Sequence, residues 1–388
     1  MIGTTPIYAD YNATTPVDDE VIDEMLPFFG KYFGNPSSNH LFGKQAHEAV
    51  DMARNRVAAA IRCAPHEVIF TSGGSESNNL AIKGVAFKNK GRGGHIITST
   101  IEHPSVLNPC LYLEAQGFDV TYLPVDEYGL ISVDDLSSAI GDETILITLM
   151  HANNEVGTVE PISEAGLLAK ELGIYFHTDA AQTLGKIPVD VDELGVDLLT
   201  IAGHKLYAPK GVGALYVREG TRLEPLIHGA AHEFGLRAGT EAVASIVALG
   251  KACEMAANGL EHLSLRLGKF RERLFQLILM DAPGLRLNGH PANHLPNTLS
   301  LGFPGVIGAE LLSHTPEVAA SPGSACHSGS TEISPVLSAM GVAREYALGT
   351  IRLSLGKYTT EEEIDAMAGA LCTSYIRLLD GDSRKAYG

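Results

Sequence analysis

Three stretches of this chain end in residues able to do chemistry. The run LTIAGHK at 199–205 is an apolar strand that stops at Gly203 and is followed at once by His204 and Lys205. A lysine at the mouth of a buried strand can have a lowered pKa and act as an amine nucleophile toward an aldehyde. Asp179 closes a second apolar strand, IYFHTD at 174–179, which would put a carboxylate inside a cleft. Such a group is costly unless it meets a cation, either a protonated heterocyclic nitrogen or a metal. The third stretch, TSGGSES at 71–77, precedes a helical pattern and offers the amides of Gly74, Ser75 and Glu76 as a phosphate cradle, with Ser75 expected as the helix cap.

Cys326 lies in ASPGSACHSGS at 320–330, a run of small residues expected to form a mobile loop. Partly exposed polar settings of this kind suit reactive thiols. Cys63, Cys110, Cys253 and Cys372 sit in apolar or helical patterns and read as small buried hydrophobes, all reduced.

One cofactor would engage the lysine, the aspartate and the cradle together. Pyridoxal 5'-phosphate needs an amine for its aldehyde, an acid at its pyridine nitrogen and a nest for its phosphate. A metal drawn from Asp179, His103, His151, His177 and His204 has no recognised ligand spacing, so none is assigned. The glycine-rich turn lacks the GK[ST] of a nucleotide loop, and GRGGH at 91–95 lacks dinucleotide-binding spacing. A cysteine hydrolase built on Cys326 and His327 is disfavoured, because adjacent side chains usually diverge. A non-catalytic sulfur carrier would have no use for the full lysine, aspartate and histidine set.

These residues need a scaffold that gathers strand ends. Between 66 and 219, seven strand candidates (EVIFTSG, HIITST, DVTYLPV, TILITLM, IYFHTDA, VDLLTIAG and GALYVRE) alternate with helical segments such as SNNLAIKGVAFK and ISEAGLLAKELG. That pattern predicts an α/β fold with a mostly parallel seven-stranded sheet covered by helices, binding its ligand beyond the strands' carboxyl ends. An apolar helix over about 241–280 leads to a remainder mixing strands (NTLSLGF, IRLSLG) with two helices, which suits a small α+β domain.

The 388 residues carry 28 Lys and Arg against 46 Asp and Glu, a formal charge of −18, so a nucleic acid backbone would be repelled overall. No apolar run approaches the roughly 20 residues that span a bilayer, and the start MIGTTPIYADYN lacks a signal pattern. A cytoplasmic setting without membrane partners is expected.

The chain resembles the class V aminotransferase-like enzymes of fold type I, and most closely the cysteine desulfurases of the NifS and IscS type. The resemblance rests on YADYNATTPV at 8–17, FGNPSSNH at 33–40, FTSGGSESNNLAIKG at 70–84, MHANNEVG at 150–157, HTDAAQTLGK at 177–186, GHKLYAPKGVGALYVR at 203–218, RAGTE at 237–241, GSACHSGS at 323–330 and IRLSLGKYTTEEEID at 351–365, in the family's order. It implies a large cofactor-binding domain over 14–255 and a small domain over 1–13 and 256–388 that carries the catalytic cysteine loop.

Carried over by residue, the resemblance makes Lys205 the Schiff-base lysine, Asp179 the partner of the pyridine nitrogen, and His103 the group that stacks on the ring and shuttles protons. Gln182 and Asn154 would reach the ring hydroxyl side. Gly74, Ser75 and His204 would hold the phosphate, joined by Thr240 from the other subunit of a homodimer. Arg352 would take the substrate carboxylate, with Asn35 and Asn154 nearby. Cys326 would attack the sulfur of L-cysteine, leaving alanine and a persulfide for an acceptor or scaffold protein in iron–sulfur cluster or thiolation pathways. Three residues depart from the family pattern: Ala202 where serine precedes GHK, Ala208 where glycine precedes PKG, and His327 after the cysteine. The last resembles the ACHS stretch of selenocysteine lyases as well as that of some bacterial desulfurases, so L-selenocysteine stands as the alternative substrate.

Overall fold

The computed structural model describes residues 5–327 and 330–386. All seven expected strands form one sheet. Its order is Val68–Thr71, Gly213–Val217, Leu198–Ala202, Tyr175–Asp179, Thr144–Met150, His95–Ser99 and Asp119–Leu123. Only Gly213–Val217 runs antiparallel to its neighbours, so six carboxyl ends point the same way. Hydrophobic layers cover both faces. Phe176, Ile147 and Leu199 join one layer, while Leu146, Leu198 and Leu215 join the other, as alternate residues of buried strands must.

The strand Leu198–Ala202 is buried throughout, and each large aliphatic side chain so buried contributes roughly 1.5–3 kcal/mol. It stops at Gly203 for a steric reason. A Cβ there would lie 2.8 Å from the Val212 carbonyl oxygen, so only glycine lets the chain turn against the neighbouring strand. The turn is a 3-10 helix, Gly203–Lys205, and it delivers His204 and Lys205 past the sheet edge.

Val243–Asp281 is one continuous helix. Its first part packs Ile246, Leu249 and Cys253 into the core of the large sheet, and its second part packs Leu267, Leu274 and Ile278 into a separate core. That second core is built on an antiparallel sheet of Ser321–Pro322, Thr350–Ser354, Thr298–Gly302 and Arg286–Asn288, backed by the helix Glu361–Ala386. The short N-terminal strand Ile7–Tyr8 pairs with Val318–Ala319 beside it.

Cys326 is not in an irregular loop. Its backbone belongs to the strand Ser324–His327, paired antiparallel with Ser330–Ile333, and Cys326 stands opposite Thr331. Small residues carry no apolar period, so main-chain pairing here left no trace in the side-chain pattern. The base of this ribbon is tied down: Gly323 N donates to Thr350 O at 2.7 Å, and Ile333 packs against the cluster holding Ile101, Met150 and Val156. Among the described residues, no helix is long and apolar enough to cross a membrane.

Candidate active site

A cavity of about 620 Å3 opens beyond the carboxyl ends of the central strands. It is lined by Gly74, Ser75, His103, Asn154, Asp179, Gln182, His204 and Lys205, which end or follow five of the central strands, and by Arg352 of the small sheet. Asn35 and Thr240 are exposed and lie outside it. Asn35 instead accepts from Ser37 N in a local turn.

Among the described residues, Lys205 forms no ion pair with a carboxylate. Its Nζ donates to the main-chain oxygens of Asn12 and Ala13, the latter at 2.7 Å. Burial first, and then the nearby Arg352 charge, lower its pKa from 10.5 to about 8. An amine in this state is free for part of the time near neutral pH, as a nucleophile toward an aldehyde must be.

Asp179 ends the strand Tyr175–Asp179 with both oxygens occupied. Oδ1 accepts from Ala181 N at 2.9 Å, and Oδ2 accepts from Asn78 Nδ2 at 2.7 Å. His177, two residues earlier, is spent inside the sheet between Thr148 Oγ1 and Thr200 Oγ1, where burial lowers its pKa to about 3.

The helix Gly74–Asn89 starts at the cavity wall. Its capping position is Gly73, at φ +145°, with no side-chain cap; Ser75 is the second helical residue and not the cap expected from sequence. The first amides of a 16-residue helix are therefore left without a side-chain partner on the side lined by Ser72, Gly73 and Gly74. Glu76 is drawn aside by Arg237 at 2.9 Å and by Ser72 N at 2.8 Å. Beneath Gly74 lies the methyl group of Ala202, 3.2 Å from where a Gly74 Cβ would sit, so no hydroxyl reaches the cradle from that residue. His204 Nδ1 meets Thr14 Oγ1 at 3.2 Å, and burial beside Lys205 and Lys210 lowers its pKa to about 4.

Arg352 is fixed by Asp10 Oδ1 at 2.6 Å, Ser321 Oγ at 3.0 Å and Asn154 O at 3.1 Å, while its buried Nε has no partner. A guanidinium posed in this way keeps donors for a carboxylate.

Several residues at the site carried no signal in the sequence. Asn12, 1 % exposed, joins both sheets through Asn154 O, Thr298 Oγ1, Asn297 Nδ2 and Ser354 Oγ. Its carbonyl also receives Gln182 Nε2 at 3.0 Å. Lys186 and Lys210 flank the site, and Asn78 and Ser105 link Asp179 to His103. Only the run YADYN could have pointed to Asn12, and its partners lie up to 342 residues away. By contrast, Cys110 and Cys253 are fully buried, and burial pushes both thiols up to about 12.

A parallel-sheet enzyme fold with an amine, an acid and an open helix N-terminus around one cavity defines a cofactor-binding transferase class, and the chain belongs to the aminotransferase class-V family, whose pattern matches residues 7–367. It is 52% identical over 361 residues to the cysteine desulfurase IscS of Dictyoglomus turgidum, covering 92% of each chain. The solved structure of a NifS-like protein superposes with a TM-score of 0.90 at 38% identity, covering 95% of this chain and 99% of that one. SspA in complex with cysteine gives a TM-score of 0.81 at 43% identity, covering 92% of this chain and all of that one.

Proposed function

We propose that this protein is a pyridoxal 5'-phosphate-dependent cysteine desulfurase, which converts L-cysteine to L-alanine and leaves the sulfur as a persulfide on Cys326. The observation that carries the reading is the meeting of Lys205, Asp179 and an uncapped helix N-terminus on one 620 Å3 cavity. Those residues fit the cofactor. Lys205 would hold it covalently, Asp179 would face its ring nitrogen, and Gly74, Ser75 and His204 would hold its phosphate. When bound, the cofactor supplies an aldehyde for capture of the substrate amine and an electron sink for the bonds broken afterwards.

The protein's own groups account for the rest. Arg352 orients the substrate carboxylate, with Asn154 beside it. Lys205, with its lowered pKa, takes and returns the α-proton. His103 exchanges a proton at the substrate sulfur. The Cys326 thiolate attacks the substrate sulfur as the carbon–sulfur bond breaks, so a thiol and cysteine become a persulfide and alanine with no external oxidant.

The family setting supports a homodimer in which Thr240 of one copy serves the other's phosphate site, an acceptor or scaffold protein that removes the sulfur, and a cytoplasmic location. A substrate-side role for Asn35 and the division into 14–255 against 1–13 and 256–388 belong to the same proposal. The test is to incubate the purified protein with L-cysteine or L-selenocysteine and quantify alanine. Alanine from L-cysteine at turnover rates supports the desulfurase. Turnover of selenocysteine alone, which the shared His327 keeps as the second reading, overturns it in favour of a selenocysteine lyase.

A further inference from the structure

His103 is the capping residue of the helix Pro104–Glu114, and its ring, not a carboxylate or hydroxyl, receives the helix's first free amide. Ser105 N donates to His103 Nδ1 at 3.1 Å. A backbone amide can only donate, so Nδ1 must present a lone pair. The hydroxyl of the same serine lies 2.8 Å from the same nitrogen.

The direction of that second bond follows from what lies behind it. Asn78, fully buried, places its side-chain amide 2.7 Å from Asp179 Oδ2 and 2.8 Å from Ser105 Oγ. An acid oxygen takes a donor, so the amide nitrogen faces Asp179 and its second hydrogen goes to the serine oxygen. Ser105 is thereby left to donate its own proton to His103 Nδ1. Asn78 thus donates both to Asp179 and to Ser105, and Ser105 donates to His103, every link within hydrogen-bond distance.

We infer that Asn78 and Ser105 are positioning residues that hold His103 in the neutral tautomer with its proton on Nε2, so that the resting enzyme presents a proton donor, and not a base, to the cavity. This rests on the reading of His103 as the proton-exchanging group of the desulfurase. The ring lines the cavity, and the hydrogen bonds it makes among the described residues are all at Nδ1. The groups that face it are Asp179 from its strand, Lys205 and His204 from the turn Gly203–Lys205; Asp179 favours the protonated ring, and Lys205 opposes it. Two donors on Nδ1 and the positive end of a helix act together against a second proton. His103 would then first donate at Nε2, and would act as a base only after that proton has gone.

The test uses 15N-histidine NMR on the cofactor-free and the loaded protein, with Ser105→Ala and Asn78→Ala. Wild type should show an unprotonated Nδ1 and a protonated Nε2 at pH 7. Ser105→Ala removes one donor from the neutral ring while keeping the backbone amide, and should raise the His103 pKa by about half to one unit. Asn78→Ala, by freeing the serine hydroxyl to rotate, should raise it in the same direction, and the acidic limb of kcat should move with it. A wild-type ring with its proton on Nδ1, or a Ser105→Ala variant whose His103 pKa is unmoved, overturns the inference. Because the NMR is read without substrate, its failure is distinct from a failure to release alanine.

Discussion

Lys186 donates its amine to Gln182 Oε1 at 2.8 Å, with both residues buried. The same amine reaches Asn12 Oδ1 at 3.3 Å, so a lysine within the protein orients an amide of the cavity wall. Burial, and then the charges of Lys205 and Arg352, hold its pKa well below 10.5.

Replacing Lys186 by Met should therefore destabilise the cofactor-free protein by roughly 1–3 kcal/mol, the cost of leaving a buried acceptor unpaired. The sign with pH is fixed by the depressed pKa. The unfolded chain binds a proton at Lys186 that the folded chain resists, so wild-type stability at this residue rises as pH climbs toward 10.5. The Met variant has no such slope, and its deficit should be larger at pH 10 than at pH 7. Denaturant midpoints at the two pH values check this; a deficit independent of pH contradicts it.

Glu102 makes the opposite case. Oε1 accepts from Ser99 Oγ at 2.7 Å and Met150 N at 2.9 Å, whereas the buried Oε2 has no partner. Burial raises its pKa to about 8. The folded protein holds this proton where the unfolded chain has lost it, so stability from Glu102 is full below about pH 4.5 and lost as pH rises through 8. Glu102→Gln keeps the accepting oxygen and cannot ionise. Relative to wild type it should gain stability between pH 5 and 8, by on the order of a few kcal/mol, as followed by melting temperature.

Arg352→Lys keeps a charge but loses the planar fork that Asp10, Ser321 and Asn154 hold in place. Steady-state kinetics should show KM for L-cysteine raised about 10- to 100-fold with a smaller change in kcat. An unchanged KM would remove Arg352 from the substrate carboxylate.

The large sheet was legible because most of its strands are buried on both faces and read as near-continuous apolar runs, the half-exposed edge strand Asp119–Leu123 apart; all seven, including the antiparallel Gly213–Val217, lie where the pattern placed them. Lys205 and Asp179 were legible for the same reason, as polar residues closing such runs. Two-residue pairings such as Ile7–Tyr8 with Val318–Ala319 have no period to detect. Lys186 reads as a surface lysine, since its burial depends on Asn12 and Gln182 meeting it in three dimensions. Ser75 was misread as a cap because a glycine at φ +145° can start a helix with no side chain at all.

Lys205→Ala should still fold, because its amine holds only two main-chain oxygens of the N-terminal segment. Borohydride treatment of the loaded wild type should fix the cofactor to Lys205, with no such label in the variant and a fall in kcat of at least about 100-fold. A label on another lysine contradicts the assignment.

The central claim is the transfer of sulfur from L-cysteine to one thiol. Wild type and Cys326→Ser, both loaded with cofactor, are given one equivalent of 35S-cysteine without a thiol reductant, and the label is mapped by peptide while alanine is counted. The account predicts one labelled sulfur on Cys326 for each alanine in the first turnover, released by a thiol reductant, and neither label nor alanine at turnover rates from the serine variant. Alanine formed by Cys326→Ser as fast as by wild type, or label resting on Cys63, Cys110, Cys253 or Cys372, would contradict it.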